Sequence, residues 1–125
     1  MNNIDMKPQI IWDEQKRILY IDIVGHITKQ EMSAIITQVE YTLTSIDTRP
    51  IKALHNFKKT EHVSLDAQIL FSEYLLNPLV KKHAFVSINS LIRETIDIII
   101  LLTDKHSDTM RIFEDDSLAL EWLLS

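Results

Sequence analysis

Lys82–Thr103, with the sequence KHAFVSINSLIRETIDIIILLT, is the stretch that decides the fold. Its first part, His83–Ile88, alternates bulky and small residues over the length of a strand, and Asn89 and Ser90 are residue types that form turns and cap helices. From Leu91 onward apolar residues recur at helical spacing and also fill the sides of the helix. Because a helix that is apolar around most of its circumference is covered on more than one side, the stretch predicts a buried strand followed by a largely buried helix.

Outward from this stretch, strand and helix patterns alternate along the chain. The β-rich runs that predict the other strands are Gln9–Asp13, Ile18–Ile27, Ile51–Phe57 and Met110–Glu114. One helix begins at Thr28, where Glu31 three residues later completes a capping box. A second helix is capped by Ser64 and stops at Asn77-Pro78, and a last short helix covers Asp115–Ser125.

This order of elements predicts an α/β fold with a five-stranded mixed sheet and four helices in a single domain, residues 1–125. The short polar loop between the first two strands predicts an antiparallel hairpin, and the later β-α units predict parallel strands with right-handed crossovers. Ile18–Ile27 alternates between an apolar face and a mixed face, which suggests a sheet with one exposed side. We therefore expect the helices on one face, with part of the other open to solvent or to a second copy.

The composition excludes several classes of site. The chain has no cysteine, which rules out disulfides, thiolate nucleophiles and cysteine-based zinc sites and suits a reducing cytoplasm. Its single glycine, Gly25, rules out the glycine-rich loops that cradle phosphates in P-loop and dinucleotide-binding proteins. We accordingly predict no cofactor, and no local signature of an activated nucleophile is present.

Charge and hydropathy restrict the partners. Residues 94–125 hold eight acidic and two basic residues, whereas the rest of the chain is close to neutral, and a nucleic-acid footprint needs clustered Lys and Arg. The most apolar run, Ile96–Leu102, is far shorter than the roughly 20 residues that span a bilayer. Met1–Lys7 does not resemble a signal peptide. These observations predict a cytoplasmic protein without a membrane span and without a nucleic-acid partner.

Two segments resemble the STAS fold of anti-sigma-factor antagonists, and in particular an uncharacterised bacterial STAS/CRAL–TRIO-like branch. They are WDEQKRILYIDIVGHIT at Trp12–Thr28 and MRIFEDDSLALEWLL at Met110–Leu124. The resemblance implies a signalling or regulatory function and a phosphorylated serine at the start of the helix after the third strand. Ser64 is the nearest match, but the Asp before it and the Gly after it that mark the family's switch are missing. Ser64 is therefore interpreted first as a helix cap and second as a weak candidate for a regulatory serine.

Histidines provide the alternative of a catalytic or metal site. None of the five lies in a metal-binding motif or at helical i, i+4 spacing to another. His26, His55 and His62 are placed where they could converge near the carboxyl ends of parallel strands, which is where open α/β sheets bind ligands. A histidine-based enzyme on these three residues is the least favoured hypothesis.

The apolar excess of Ile96–Leu102 leaves three interpretations open: ordinary core, a homodimer interface, and a pocket for a lipid or another apolar ligand. The residues proposed for an interface or a pocket are Ile96, Ile99 and Ile100 on this helix and Phe71 and Leu75 on the preceding one. The favoured function is a non-catalytic, homodimeric regulatory or protein-interaction module with an unknown protein partner. The alternative is a carrier of a small apolar ligand, suggested by analogy to lipid-binding relatives of the fold.

Overall fold

A five-stranded sheet lies at the centre of the computed structural model, which describes residues 9–46, 50–104 and 108–125. The elements are, in chain order, β1 (Gln9–Asp13), β2 (Ile18–Asp22), β3 (Gly25–Ile27), α1 (Lys29–Thr44), β4 (Ile51–Asn56), β5 (Thr60–Val63), α2 (Leu65–Tyr74), β6 (Val80–Val86), α3 (Ser90–Leu102), β7 (Met110–Phe113) and α4 (Asp116–Leu124). The central sheet has the order β1-β2-β4-β6-β7, so its strands are neighbours in the order in which the chain makes them.

The predicted fold class is confirmed. β1 and β2 form the antiparallel hairpin, and β2, β4, β6 and β7 pair in parallel. In the hairpin loop the Asp13 carboxylate accepts a hydrogen bond from the Lys16 backbone N–H at 3.1 Å, and Arg17 adopts a positive φ of 59°. Polar loop residues that bond to their own backbone favour such a tight reversal.

The prediction of one long strand over Ile18–Ile27 is wrong. The chain leaves the central sheet after β2, and Gly25 takes a φ of 88°, a conformation that glycine adopts without the steric penalty of a side chain. β3 then pairs in parallel with β5 in a separate two-stranded sheet, and β5 lies outside the predicted strand runs. Apolar residues continue to alternate from β2 into β3. Ile23 and Ile27 lie in the same core as Leu19 and Ile21.

The expectation that all helices lie on one face is also wrong. α1, α2 and α3 contribute buried residues such as Met32, Phe71 and Ile96 to the large core on one face of the sheet. α4 covers the opposite face, where Ala119 and Leu123 pack with strand residues in a second cluster. Handedness constrains only helices that connect two parallel strands. Because α4 follows the last strand of the sheet, it is free to fold back on the other side.

The second cluster explains the mixed face of β2. Ile18 is fully buried in it, together with Leu54 of β4 and Ala84 and Val86 of β6. The partly buried residues around them are Tyr20, Phe113, Leu120 and Trp122. Part of the face that the sequence suggested was open is thus covered by this chain's own carboxyl-terminal helix.

The predicted helix caps are confirmed. Thr28 and Glu31 form the capping box of α1, in which the Thr28 hydroxyl accepts from the Glu31 N–H and the Glu31 carboxylate accepts from the Thr28 N–H. The Asn89 side chain accepts from the N–H groups of Leu91 and Ile92 and starts α3. In the described part of the chain, no helix is long and apolar enough to cross a membrane.

Two adjacent leucines of α4 test whether this helix seals the second face. Leu123 is fully buried and Leu124 is 51% exposed. We expect Leu123→Ala to lower the free energy of unfolding by about 2–4 kcal/mol, because it removes buried methyl groups and leaves a cavity. Leu124→Ala should change it by less than about 0.5 kcal/mol. Urea denaturation of both variants measures this, and equal effects would show that α4 does not pack as described.

Candidate functional site

Two histidines form a hydrogen-bonded pair inside the main core. His55 lies on β4 and His83 on the adjacent strand β6, and the Nε2 of His55 is 2.9 Å from the Nδ1 of His83. Both side chains are shielded from solvent, with 0% and 1% exposure. Polar groups this deeply buried are costly unless they are hydrogen-bonded, so the pair is a feature to be explained.

Strand alternation places both imidazoles on the side of the sheet that faces α2. Phe57 follows His55 by two residues and Phe85 follows His83 by two, and both belong to the same core. The His55 ring stacks on Phe85 at 5.0 Å between ring centroids and meets the Phe71 ring of α2 edge-on at 5.3 Å. The two imidazoles thus lie in a layer of aromatic rings rather than in a polar site.

Burial keeps the pair neutral. Desolvation lowers the pKa of His55 well below its ordinary value, and the neighbouring His83 adds to this shift. Desolvation likewise lowers the pKa of His83 to about 3, although a hydrogen bond with the backbone of Leu75 acts in the opposite direction. Two neutral imidazoles share one hydrogen bond, so one ring donates and the other accepts.

This arrangement leaves the second nitrogen of each ring to find another partner. Among the described residues, Nδ1 of His55 and the hydroxyl of buried Tyr74 lack a partner of hydrogen-bonding geometry, whereas the second nitrogen of His83 has the Leu75 backbone beside it. If His55 donates, its own Nδ1 is a bare acceptor and Nε2 of His83 carries an N–H. If His83 donates, the roles are reversed.

A cleft of about 410 Å³ lies beside His83. It is bounded by the end of α2, the segment that follows it, the first part of β6 and the beginning of β7. The residues that line it are Leu75, Leu76, Asn77, Pro78, Val80, Lys81, His83, Asp108, Thr109 and Met110. Its size falls in the range of about 300–1,000 Å³ that is typical of small-molecule sites.

The histidines of the catalytic hypothesis do not form one group. His26 and His62 stack at the surface on the two-stranded sheet, with 4.6 Å between ring centroids, whereas His55 is in the core with His83. Within residues 9–46, 50–104 and 108–125 no group of three or more His, Cys, Asp or Glu side chains is placed to hold a metal ion. His106 lies outside the described residues. Sequence spacing grouped His55 with His26 and His62, whereas its partner is His83, which shares a strand face with buried Phe85.

Ser64 is the N-cap of α2, as predicted. Its hydroxyl accepts from the Ala67 N–H at 3.4 Å and donates to the Asp66 carboxylate at 2.6 Å. The hydrogen bond from Ser64 is the main cause that lowers the pKa of the Asp66 carboxyl. A role for Ser64 as a regulatory serine stays a prediction.

The residues named for an interface or a pocket lie mostly in this chain's own core. Ile96, Ile99, Phe71 and Leu75 are buried, and Ile100 is partly buried against the same core. A partner cannot contact the buried four without opening the fold. Leu75 does line the cleft beside His83, which lies at the end of α2 rather than between α2 and α3.

Other apolar residues of the same two helices are exposed. We define the α2–α3 surface by six of them: Leu65, Ile69, Leu91, Ile98, Leu101 and Leu102. On α3, Leu91 and Leu101 are 71% and 77% exposed. The two helices pack side by side. Both lead into parallel strands of the sheet and therefore run in the same direction, so the outer face of one lies next to the outer face of the other. Scattered exposed leucines are ordinary, so these six matter only as a group, and Ile69 also borders a groove with Lys29 of α1.

The charged residues of these helices are almost all acidic. α2 carries Asp66 and Glu73, and α3 carries Glu94 and Asp97, all exposed. The one basic residue of the two helices is Arg93, which forms an ion pair with Glu114 at 2.9 Å. The α2–α3 surface therefore combines apolar side chains with an acidic surround.

Comparison with known proteins agrees with the geometry. The model of the SpoIIAA-like family matches residues 18–124. Among solved structures, the chain is similar to an uncharacterized protein of the DUF3478 family with a SpoIIAA-like fold from Shewanella loihica PV-4. The two are 23% identical over 93% of this chain and 91% of that chain, with a TM-score of 0.66. This likeness supports the fold, and no curated protein matches the chain.

The neutral pair predicts a pH dependence of stability. Because the pKa of each buried imidazole is lower in the folded chain than the ordinary value of about 6.5, the unfolded chain binds more protons below that pH. We expect the free energy of unfolding to fall by about 2–3 kcal/mol between pH 6.5 and 5. Urea titrations across this range should show a much smaller decrease in the double variant His55→Leu, His83→Leu. A flat wild-type profile would contradict the neutral pair.

Ser64 can be tested as a cap. Ser64→Ala should lower the free energy of unfolding by about 1 kcal/mol, because it removes the acceptor for the Ala67 N–H. Ser64→Asn keeps an uncharged acceptor at this position, without a second carboxylate beside Asp66, and should stay within about 0.5 kcal/mol of the wild type. Thermal or urea unfolding distinguishes the two, and an equal loss in both would mean that the acceptor does not account for the effect.

Proposed function

Because the chain belongs to the SpoIIAA-like family, we propose that it is a non-catalytic regulatory module that acts by binding another protein. Cytoplasmic localisation is part of this proposal, and the lack of cysteine supports it. The fold alone hosts many functions, so the support must come from the surface that the chain presents. The observation that carries the proposal is the α2–α3 surface.

The energetics of this surface favour contact with a partner. Leu91, Ile98 and Leu101 project from a helix whose opposite face is already buried in the core, so their exposure contributes nothing to the fold. Covering one such side chain is worth about 1.5–3 kcal/mol. Interfaces of this kind combine an apolar centre with a polar rim, which the acidic residues of α2 and α3 supply.

The charge of the surface selects a partner with basic residues. A second copy placed on the same face would bring Glu94 and Asp97 of one copy towards acids of the other. Like charges across an interface oppose association, and opposite charges speed it and fix its register. A different protein with an apolar strip flanked by Lys or Arg therefore fits better than a second copy of this chain. The homodimer stays a prediction.

A capture experiment with matched variants tests the module. Tagged wild type should retain a partner from the native cell extract, and the double variant Ile98→Asp, Leu101→Asp should lose most of it, because the charges prevent burial of the apolar centre. Tyr41→Ser is the control, since Tyr41 is 75% exposed on α1 and outside the surface. The captured protein should elute with increasing salt.

Light scattering of the purified chain distinguishes a basic protein partner from a second copy of the chain. A monomer at all salt concentrations, together with variant-sensitive capture, supports a basic partner. A homodimer that the double variant dissociates would overturn the choice of partner. Capture that is identical for wild type and the double variant would overturn the surface itself.

A second candidate function, a carrier of a small apolar ligand, is favoured by the cleft beside His83. Most of its lining is apolar, and Leu75 and Met110 also belong to the main core. This function requires no contact with the α2–α3 surface. The two functions can therefore be tested separately.

A further inference from the structure

We infer that the partner binds through a basic amphipathic α-helix of about three turns, which lies in the groove between the outer faces of α2 and α3. The inference rests on the protein-binding function proposed above and specifies the structure of the partner's contact. Two observations lead to it: the spacing of the exposed residues on both helices and the charges on either side of them.

The two helices carry rows of residues with the same spacing. Each row advances by four, three and four positions, which is the spacing of a coiled-coil seam. The rows, which we call the seam rows, are Leu65, Ile69, Ser72 and Leu76 on α2 and the turn that follows it, and Leu91, Thr95, Ile98 and Leu102 on α3. Their six apolar members are between 45% and 71% exposed.

The short side chains of the seam rows lie on the sides of the helices that face each other. Two residues along a helix turn through about 200°, so Ser72 lies opposite Leu70 and Thr95 lies opposite Arg93. Leu70 borders a groove with Lys29 of α1, and Arg93 forms its ion pair on the side of β7. Ser72 therefore points towards α3, and Thr95 points towards α2.

Both hydroxyls are already bonded within their own helices. Ser72 donates to the Ile69 carbonyl at 2.6 Å, and Thr95 donates to the Leu91 carbonyl at 3.1 Å. Because these side chains are short, they leave room between the longer leucines and isoleucines of the same rows. An apolar side chain of a third helix can enter there, as a knob enters a hole between residues of a facing helix.

A helix fits this groove better than an extended segment. A bound strand depends on main-chain hydrogen bonds to a sheet edge, whereas the main-chain groups of α2 and α3 are bonded within each helix. The row from Leu91 to Leu102 is about 16 Å long at the usual helical rise. About three turns of a partner helix therefore cover it.

Acidic residues on both sides of the groove determine the polar flanks of that helix. Asp66 and Glu73 lie on the side of α1, where Lys29 offsets part of their charge. Glu94 and Asp97 lie on the outer side of α3, and neither forms an ion pair within the described residues. Lysine or arginine along the edges of the partner helix is therefore favourable, whereas an anionic membrane surface would be repelled.

The test uses three synthetic peptides of about 14 residues and the full-length chain. The first places leucine at the coiled-coil period with lysine elsewhere, the second has the same composition in strict alternation, and the third replaces the lysines of the first by glutamate. Calorimetric titration should show one copy of the first peptide binding per chain, with a gain in helical circular dichroism. The other two should bind at least about tenfold more weakly.

Variants of the chain locate the bound peptide. Thr95→Arg places a cation in the groove and should weaken binding of the first peptide by about tenfold or more. Leu91→Arg, at a position that is 71% exposed, should do the same without disturbing the core. Thr42→Arg is the control, because Thr42 of α1 is also half-buried and its hydroxyl is bonded to the Gln38 carbonyl, outside the seam rows.

Each other result overturns a defined part. Equal binding of the alternating peptide, or binding without a gain in helix, would overturn the helix, and equal binding of the glutamate peptide would overturn the basic flanks. An equal loss in Thr42→Arg and Thr95→Arg would place the peptide elsewhere. If no peptide binds while Ile98→Asp, Leu101→Asp still abolishes capture of the native partner, the helix is wrong and the binding module stands. If that capture is also insensitive to the double variant, both are wrong.

Discussion

The structure depends on the need to cover both faces of a parallel sheet. β4 and β6 lie at its centre, and their residues alternate between the large core under three helices and the smaller cluster under α4. Parallel strands are rarely stable with a face in water, because their apolar side chains point to both sides of the sheet. The packing of α4 on the second face follows from this constraint, and the exposed positions of β1 lie at the sheet edge.

The same constraint explains why two histidines can lie in the core. On β4 and β6 every second residue faces α2. His55 and His83 occupy two of these positions, where apolar residues are usual, next to Phe57 and Phe85. They are tolerated because each partly satisfies the other and because burial keeps both neutral. The unsatisfied Nδ1 of His55 is a cost of this arrangement.

The proposed function depends on a binding surface. Six exposed apolar residues lie on α2 and α3, two helices that together carry four acidic residues and one basic residue. The buried face of α3 stabilises the fold, and its outer face is available for contact. The apolar residues of α3 lie on both its buried face and its outer face, so the apolar sequence of this helix is open to more than one interpretation.

The sequence by itself determined the local features. The capping residues of α1 and α3, the alternation of β2 and the order of the helices and of the central-sheet strands could be read from spacing, since they depend on residues within one or two turns of each other. Only the tertiary structure decided the pairing of His55 with His83, the departure of β3 to join β5, and the face that α4 covers. These depend on strand register and on packing between residues far apart in the chain, and no local period records them.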